Sequence, residues 1–358
     1  MASGYRHHEA EGIAMNCVDC ADIDPIEDQG ELKLRPCSAP LAAAIRNAGY
    51  EVYQTSKTCI IPYHRKEELL KLIEILVAAK DIADTLTVCV KSKGASAAPD
   101  RWLTFEQLKV RFANENLVSI IMSHDFCSHM QPIVNFSEEI VGFEFLLRPL
   151  AQGSYFQPYE LFEIARRTGF HSFLDRAARI SAIETSSRLL PKGIKRFINF
   201  LPSSIYNPKY CLTHTFEAIR RLDQDPEDYV FEVVETEQIS DIPHLRAIFA
   251  EYRQQGMRVA LDDVGAGYST IELMSSLQPD YVKVDRSLIS FCDRDEGKQR
   301  MLGEIISRAG EFGASLLAEG IERREEFLVC RDLGMDLGQG YLFGLPEDKP
   351  PGRFGIMA

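Results

Sequence analysis

From about Asn116 onward, short apolar runs alternate with stretches of helical periodicity. HMQPIVNF, RFINFL, YVFEVVE, RVALDD, YVKVD and SLLAEG read as strands, being short, rich in β-branched and aromatic residues, and bounded by polar or turn residues. Between them, PYELFEIARRTG and LRAIFAEYRQQG place apolar side chains at helical spacing, and the second closes on a glycine suited to a helix C-cap. Repeated βα units over residues 116–358 predict an α/β fold, a (β/α)8 TIM-like barrel, with a doubly wound sheet as the alternative.

Upstream the pattern differs. LKLRP, YEVYQT and TCIIPYH read as strands, and RKEELLKLIEILVAAK puts Leu69, Leu72, Ile73 and Leu76 on one helical face. Residues 1–98 are therefore expected to form a small α+β N-terminal module. KSKGASAAPDRW, from Lys91 to Trp102, has the composition of a flexible linker. Within residues 99–115 Thr104 and Gln107 have capping-box spacing, with Leu103 and Leu108 placed as a hydrophobic staple, so a helix opens the second region.

Composition narrows the function. The chain has 358 residues, 45% of them hydrophobic, and a net charge of −13, which disfavours nucleic acid polymers and anionic membranes as general partners. No apolar run suits membrane insertion, and His7, His8, Glu9 and Glu11 stand where a signal peptide would be apolar, so a cytoplasmic protein is expected. Nine scattered cysteines do not resemble a secreted disulfide framework, and most are expected to be reduced. Cys17 and Cys20 form a C-x-x-C pair which, with Cys37, is a candidate structural Zn²⁺ site, weighed against ordinary small buried residues.

The chemistry gathers at the C-terminal ends of the apolar runs. Asn199 lies in FINF, Glu232 and Glu235 flank VV, Asp262 and Asp263 follow VAL, Lys283 and Asp285 lie in YVKVD, Glu319 follows LLA, and Gln339 precedes GYLFG. In a barrel those ends share one rim. Taken singly, each residue is as well explained by helix capping or by pairing, as Lys283 with Asp285. Capping does not explain the recurrence of Glu, Gln and Lys, however, and oxygen ligands of this kind suit two Mg²⁺ or Mn²⁺ ions sharing a bridging carboxylate. Successive strand side chains alternate in direction, so Asp262 and Asp263 reach the same mouth only if Asp263 leaves the strand geometry, a turn that Gly265 and Gly267 permit.

These segments resemble the EAL-domain cyclic di-GMP phosphodiesterases from about Leu117 to Pro346. QPIVNFSEEIVGFEFLLRP is similar to the opening segment, with Glu144 and Leu146 in the place of the Glu-Ala-Leu signature. FINFLP, FEVVET, DDVGAGYSTI, PDYVKVD, AEGIE and GQGYLFGLP are similar to the later motifs and follow in the family's order. The resemblance implies one ion held by Glu144, Asn199, Glu232 and Asp262, and a second using Asp262 as bridge with Asp263 beside it. It implies that Lys283 holds the attacking water, that Glu319 is general base or partner of the second ion, and that Glu235 anchors the loop from Val264 to Ser269. Arg148 would contact phosphate, Leu146 the ligand, and Asp285, Glu322 and Gln339 the ligand and water network. The implied reaction opens cyclic di-GMP to linear pGpG, in a homodimer formed through the barrel, and by the same analogy residues 1–98 would regulate or dimerise the barrel. Three positions depart from the family pattern: Phe145, Val234 and Val264. The bulk of Phe145 is expected to press on Glu144.

Overall fold

The structure is a computed structural model that describes residues 26–55, 57–78, 85–94, 100–233, 241–266 and 270–351. Its first module follows the sequence reading. Strands β1 (Gly30–Arg35), β2 (Tyr53–Gln54), β3 (Cys59–Tyr63), β4 (Thr87–Ser92) and β5 (Leu103–Thr104) form one sheet in the order β2-β3-β1-β4-β5. Helices Ala39–Asn47 and Lys66–Ala78 are inserted after β1 and β3, giving the split βαββαβ arrangement of ferredoxin-like folds. Period-2 alternation explains the layering. Leu32 pairs with Ile61 and Val90, and Leu34 with Cys59 and Val88. This face shares an apolar core with Leu41 and Ile45 of the first helix and Leu69, Leu72 and Leu76 of the second.

Two expectations change here. Lys91 and Ser92 end β4 rather than starting a linker, and the segment after residues 95–99, which lie outside the described residues, packs on β1. Asp100 pairs with Lys33 at 2.7 Å, and the Arg35 guanidinium lies 3.8 Å from the centre of the Trp102 ring. Small residues at 94–98 resemble a linker in composition, whereas charge pairing and one aromatic ring decide where the chain goes next. The zinc reading also changes. Cys37 is joined to Cys59 as a disulfide, their Cα atoms 5.3 Å apart, and is not available as a thiolate ligand; Cys17 and Cys20 lie outside the described residues. Among the described residues the cysteines at 89, 127, 211, 292 and 330 form no disulfide.

Thr104 caps the helix Phe105–Ala113 with the expected box: its hydroxyl accepts from Gln107 N and the Gln107 side chain accepts from Thr104 N. Phe105 and Leu108 of this helix complete the core of the first module. The helix also grips the second region. Arg111, which is buried, donates through Nε (3.0 Å) and Nη2 (2.8 Å) to Thr168 O and stacks on Phe170 at 3.8 Å. Arg101 donates to Gly169 O at 3.2 Å. Both guanidinium groups thus meet the carbonyl end of the helix Pro158–Thr168, where the helix dipole favours cations. Arg111→Met is expected to leave that carbonyl end unsatisfied and lower stability by roughly 2 kcal/mol, read as a fall in Tm on thermal unfolding.

The second region closes into the expected barrel of eight strands. Strands β6 (Phe126–Asn135), β7 (Ile140–Pro149), β8 (Lys195–Phe200), β9 (Tyr229–Val233), β10 (Arg258–Val264), β11 (Tyr281–Val284), β12 (Ser315–Ala318) and β13 (Leu337–Gln339) surround it in the order β10-β11-β12-β13-β6-β7-β8-β9. One strand departs from the parallel pattern: β6 runs antiparallel to both β7 and β13. Its link to β7 is the cause. Asn135 Oδ1 accepts from Ser137 N and Glu139 N, and Glu138 takes a φ of +63°, closing a hairpin too short for a crossover helix. Ile133, Phe197, Val230, Ala260 and Leu317 form an apolar floor inside the barrel. Side chains two residues further along the parallel strands point the same way, one layer nearer the C-terminal mouth. Among the described residues no helix is long and apolar enough to cross a membrane.

Candidate active site

The layer above the floor is polar. Asn199 follows Phe197 by two residues, Glu232 follows Val230, Asp262 follows Ala260 and Glu319 follows Leu317, so each projects inward above its apolar partner. Lys283 of β11 enters the same layer. Its Nζ lies 2.7 Å from Glu319, 2.8 Å from Glu232, 3.0 Å from Asp262 and 3.7 Å from Glu144. Gln339 Nε2 donates to Glu144 Oε2 at 2.6 Å and to Gln131 Oε1 at 3.2 Å, while Asn199 Nδ2 donates to Glu144 Oε1 at 3.2 Å. Seven of the residues read from strand ends and motifs thus meet in one cluster at the mouth.

Asp263 joins them by the route the sequence required. The pairing of β10 with β11 slips between Leu261 and Val264, and Asp263 adopts a φ of +53°. This bulge turns the second carboxylate toward the mouth, and Asp263 N donates to Asp262 Oδ1 at 3.0 Å. Gly265 then takes a φ of +101°, where a Cβ would come 2.3 Å from Leu288 Cδ1. Ligand oxygens of Asp262, Asp263 and Glu319 all lie within 4.8 Å of one another.

Electrostatics make the cluster hungry for positive charge. Burial pushes Glu232 well above the usual carboxylate range, and Glu144 and Asp262 push it further against the pull of Lys283. Burial also raises Glu319 strongly, with Asp262 adding to it, and raises Asp262 despite Lys283. Glu144 ends below its ordinary value, because Lys283, Gln339 and Asn199 outweigh its burial. Burial alone would lower the Lys283 amine, but the surrounding carboxylates hold it well above the usual lysine range. Glu232 is fully buried, and among the described residues its Oε1 meets no hydrogen-bond donor. An acceptor left bare in a polar cavity fits a cation, and carboxylate and carboxamide oxygens suit Mg²⁺ or Mn²⁺. Lys283 stands where such a charge is favoured between Glu144, Glu232 and Asp262; Asp262, Asp263 and Glu319 offer the second position.

The remaining candidates lie further out or elsewhere. Asp285 Oδ1 caps the short helix Arg286–Ile289, accepting from Ser287 N at 2.9 Å, and lines the mouth. Glu322 is exposed there and pairs with Arg286 at 3.2 Å. Leu146 and Arg148, at the end of β7, line a cavity of about 350 Å³ with Tyr159 and Phe162. Glu235 and Val234 lie outside the described residues. Phe145 does not press on Glu144: it leaves the opposite face of β7 and packs in the apolar layer that also holds Val264, outside the barrel wall. Gln131 was missed, although it stands directly opposite Glu144 in the β6–β7 pairing and in phase with inward Ile133. Reading HMQPIVNF for its period would have found it.

The EAL domain family model matches residues 114–346. The chain is 30% identical over 245 residues to the probable cyclic di-GMP phosphodiesterase PdeB of Escherichia coli, covering 67% of this chain and 46% of that one. It is 27% identical over 234 residues to the cyclic di-GMP phosphodiesterase PdeL of the same organism, covering 63% of each. The chain therefore spans between about half and two thirds of these relatives. A standalone EAL protein of Vibrio cholerae, solved with cyclic di-GMP bound, matches with a TM-score of 0.58 and 33% identity over 63% of this chain and 94% of its own.

Proposed function

The chain belongs to the EAL domain family, and from that premise we propose that it hydrolyses one phosphodiester bond of cyclic di-GMP to release linear pGpG, using two Mg²⁺ or Mn²⁺ ions. The observation that carries the reading is the buried Lys283 ammonium among Glu144, Glu232, Asp262 and Glu319, beside the close group of Asp262, Asp263 and Glu319. Glu144, Asn199, Glu232 and Asp262 would hold one ion, and Asp262, Asp263 and Glu319 the other. Bound there, the ions supply charge that stabilises the attacking and leaving oxygens of an in-line displacement.

The protein's own groups do the rest. Lys283 is fixed by its carboxylates with its donors at the site, ready to orient an attacking water by hydrogen bonding. Glu319, 2.7 Å from Lys283 and with a partly exposed carboxylate, would accept that water's proton where it is not taken as a ligand of the second ion. Arg148 at the end of β7 would meet a phosphate oxygen, and Leu146 the ligand beside it. Asp285, Glu322 and Gln339 would order the ligand and its waters around the mouth, a cavity of about 230 Å³. Glu235 would anchor the loop after β10. The N-terminal module would regulate this chemistry, and the barrel would pair with a second copy.

The test is incubation of the purified chain with cyclic di-GMP and Mg²⁺ or Mn²⁺, followed by chromatography for pGpG, with Glu144→Ala alongside. Product from the wild type alone is expected; intact dinucleotide bound tightly without product would make the barrel a receptor. A pH titration gives a second check. Glu232, Glu319 and Asp262 hold their protons above the usual range, so a cation must displace them, and Mn²⁺ affinity is expected to rise with pH. The gain should approach about tenfold per pH unit for each proton released as pH rises above the ordinary carboxylate range, measured by calorimetry. Affinity flat across that rise would remove these carboxylates from the ligand set.

A further inference from the structure

We propose that Asp175, on the helix His171–Leu189 outside the barrel wall, is a positioning residue for the metal centre: it fixes the turn that follows Asn199. This rests on the reading of that centre given above. Strand β8 ends at Phe200, so Leu201 is the point where the chain leaves the sheet. Leu201 N is taken by Asp175 Oδ1 at 2.9 Å, two residues beyond Asn199. Asp175 Oδ2 accepts from Ser204 Oγ and from Arg179 Nη1. Arg179 reaches on to Thr215 Oγ1 at 3.4 Å. Asp175 and Arg179 are each 2% exposed, and Ser204 is 3% exposed.

Besides Arg179, the donors that reach Asp175 from among the described residues, Leu201 N and Ser204 Oγ, belong to the turn 201–204. A buried ion pair is weak evidence of stabilisation, because apolar residues of similar volume often serve as well. What a carboxylate adds is direction: two oxygens fix the backbone at Leu201 and the side chain at Ser204. Asn199 is paired in register with Glu232 on one side and reaches Glu144 with its carboxamide on the other. A turn free to shift by a fraction of an ångström would move that carboxamide relative to both. Groups that orient metal ligands from behind in this way alter affinity without touching the ion.

The experiment measures Mn²⁺ binding directly by calorimetry, without substrate, alongside thermal unfolding. Asp175→Asn keeps the volume and one acceptor but loses the pairing, and Ser204→Ala removes only the hydroxyl from the turn. Mn²⁺ affinity is expected to fall about tenfold in Asp175→Asn and several-fold in Ser204→Ala. Ile183→Val, an apolar core change about two turns further along the same helix that removes none of the hydrogen bonds to the turn, is expected to lower Tm with Mn²⁺ affinity unchanged. Glu144→Ala separates the two readings. Binding lost in Glu144→Ala but held within about twofold of wild type in both Asp175→Asn and Ser204→Ala would overturn the role of Asp175 alone. Should Asp175→Asn not fold, Ser204→Ala decides by the same criterion. A wild type that binds no Mn²⁺ would overturn the metal centre, and this proposal with it.

Discussion

Asp262→Asn is expected to lower hydrolysis of cyclic di-GMP by about a thousandfold or more, while the protein keeps its fold. The two consequences have separate causes. Asp262 is the only carboxylate placed in both proposed ion sites, within reach of Lys283 and within the group that includes Asp263 and Glu319. A carboxamide there supplies one neutral oxygen where two ions would share a charged carboxylate. Stability should hardly change, because burial already disfavours ionised Asp262 and Lys283 keeps Glu144, Glu232 and Glu319 as partners. The check is a turnover assay beside a thermal melt. Turnover close to wild type would sink the shared-ligand assignment, and a collapsed melt would recast Asp262 as structural.

Lys283→Met is expected to have the largest effect on stability, and one that metal partly reverses. Lys283 is 1% exposed and is the cation common to four carboxylates. Removing one side of a buried ion pair costs about 3–5 kcal/mol, since charge is left without compensation. In metal-free buffer Tm should fall by roughly 10 °C or more. The loss has a sign in pH. Without the ammonium, the carboxylates bind protons more readily folded than unfolded, so the deficit is small in acid and grows as pH rises above the ordinary carboxylate range. Excess Mn²⁺ should raise Tm more in this variant than in the wild type, because the ion then binds carboxylates that no longer hold a lysine. An unchanged metal-free melt would mean that the cluster does not depend on its lysine for charge balance. Activity should be lost whether or not Mn²⁺ restores the fold, since the ion replaces charge but not the ammonium donors that orient water.

The cluster was legible because strand geometry is periodic. Once FINF, FEVV, VALDD, YVKVD and SLLAE are read as strands, their polar ends fall on one rim, whatever the intervening helices do. The adjacent carboxylates of Asp262 and Asp263 forecast a break in that geometry, and the bulge with Asp263 at positive φ supplies it. The capping box at Thr104 was equally plain, because both partners lie within one turn of helix.

What remained hidden depends on contacts between segments far apart in the chain. Nothing near Asp175 says that its carboxylate will meet Leu201, or near Arg111 that its guanidinium will close on Thr168. Cys37 and Cys59 are paired by the neighbouring positions of β1 and β3, not by spacing. Phe145 could be judged bulky from its letter, but only its side of β7 showed that the bulk lies outside the barrel wall. The hairpin at Asn135 reversed a strand that a repeating βα pattern assigns to the parallel set. Local periodicity and capping act over a few residues, and so the sequence by itself determined most of the barrel strands, their alternation with helices and the row of charged strand ends. Burial and long-range hydrogen bonding exist only after the chain has closed, and the tertiary structure alone decided that one lysine balances four carboxylates and that an outer helix meets the turn after Asn199.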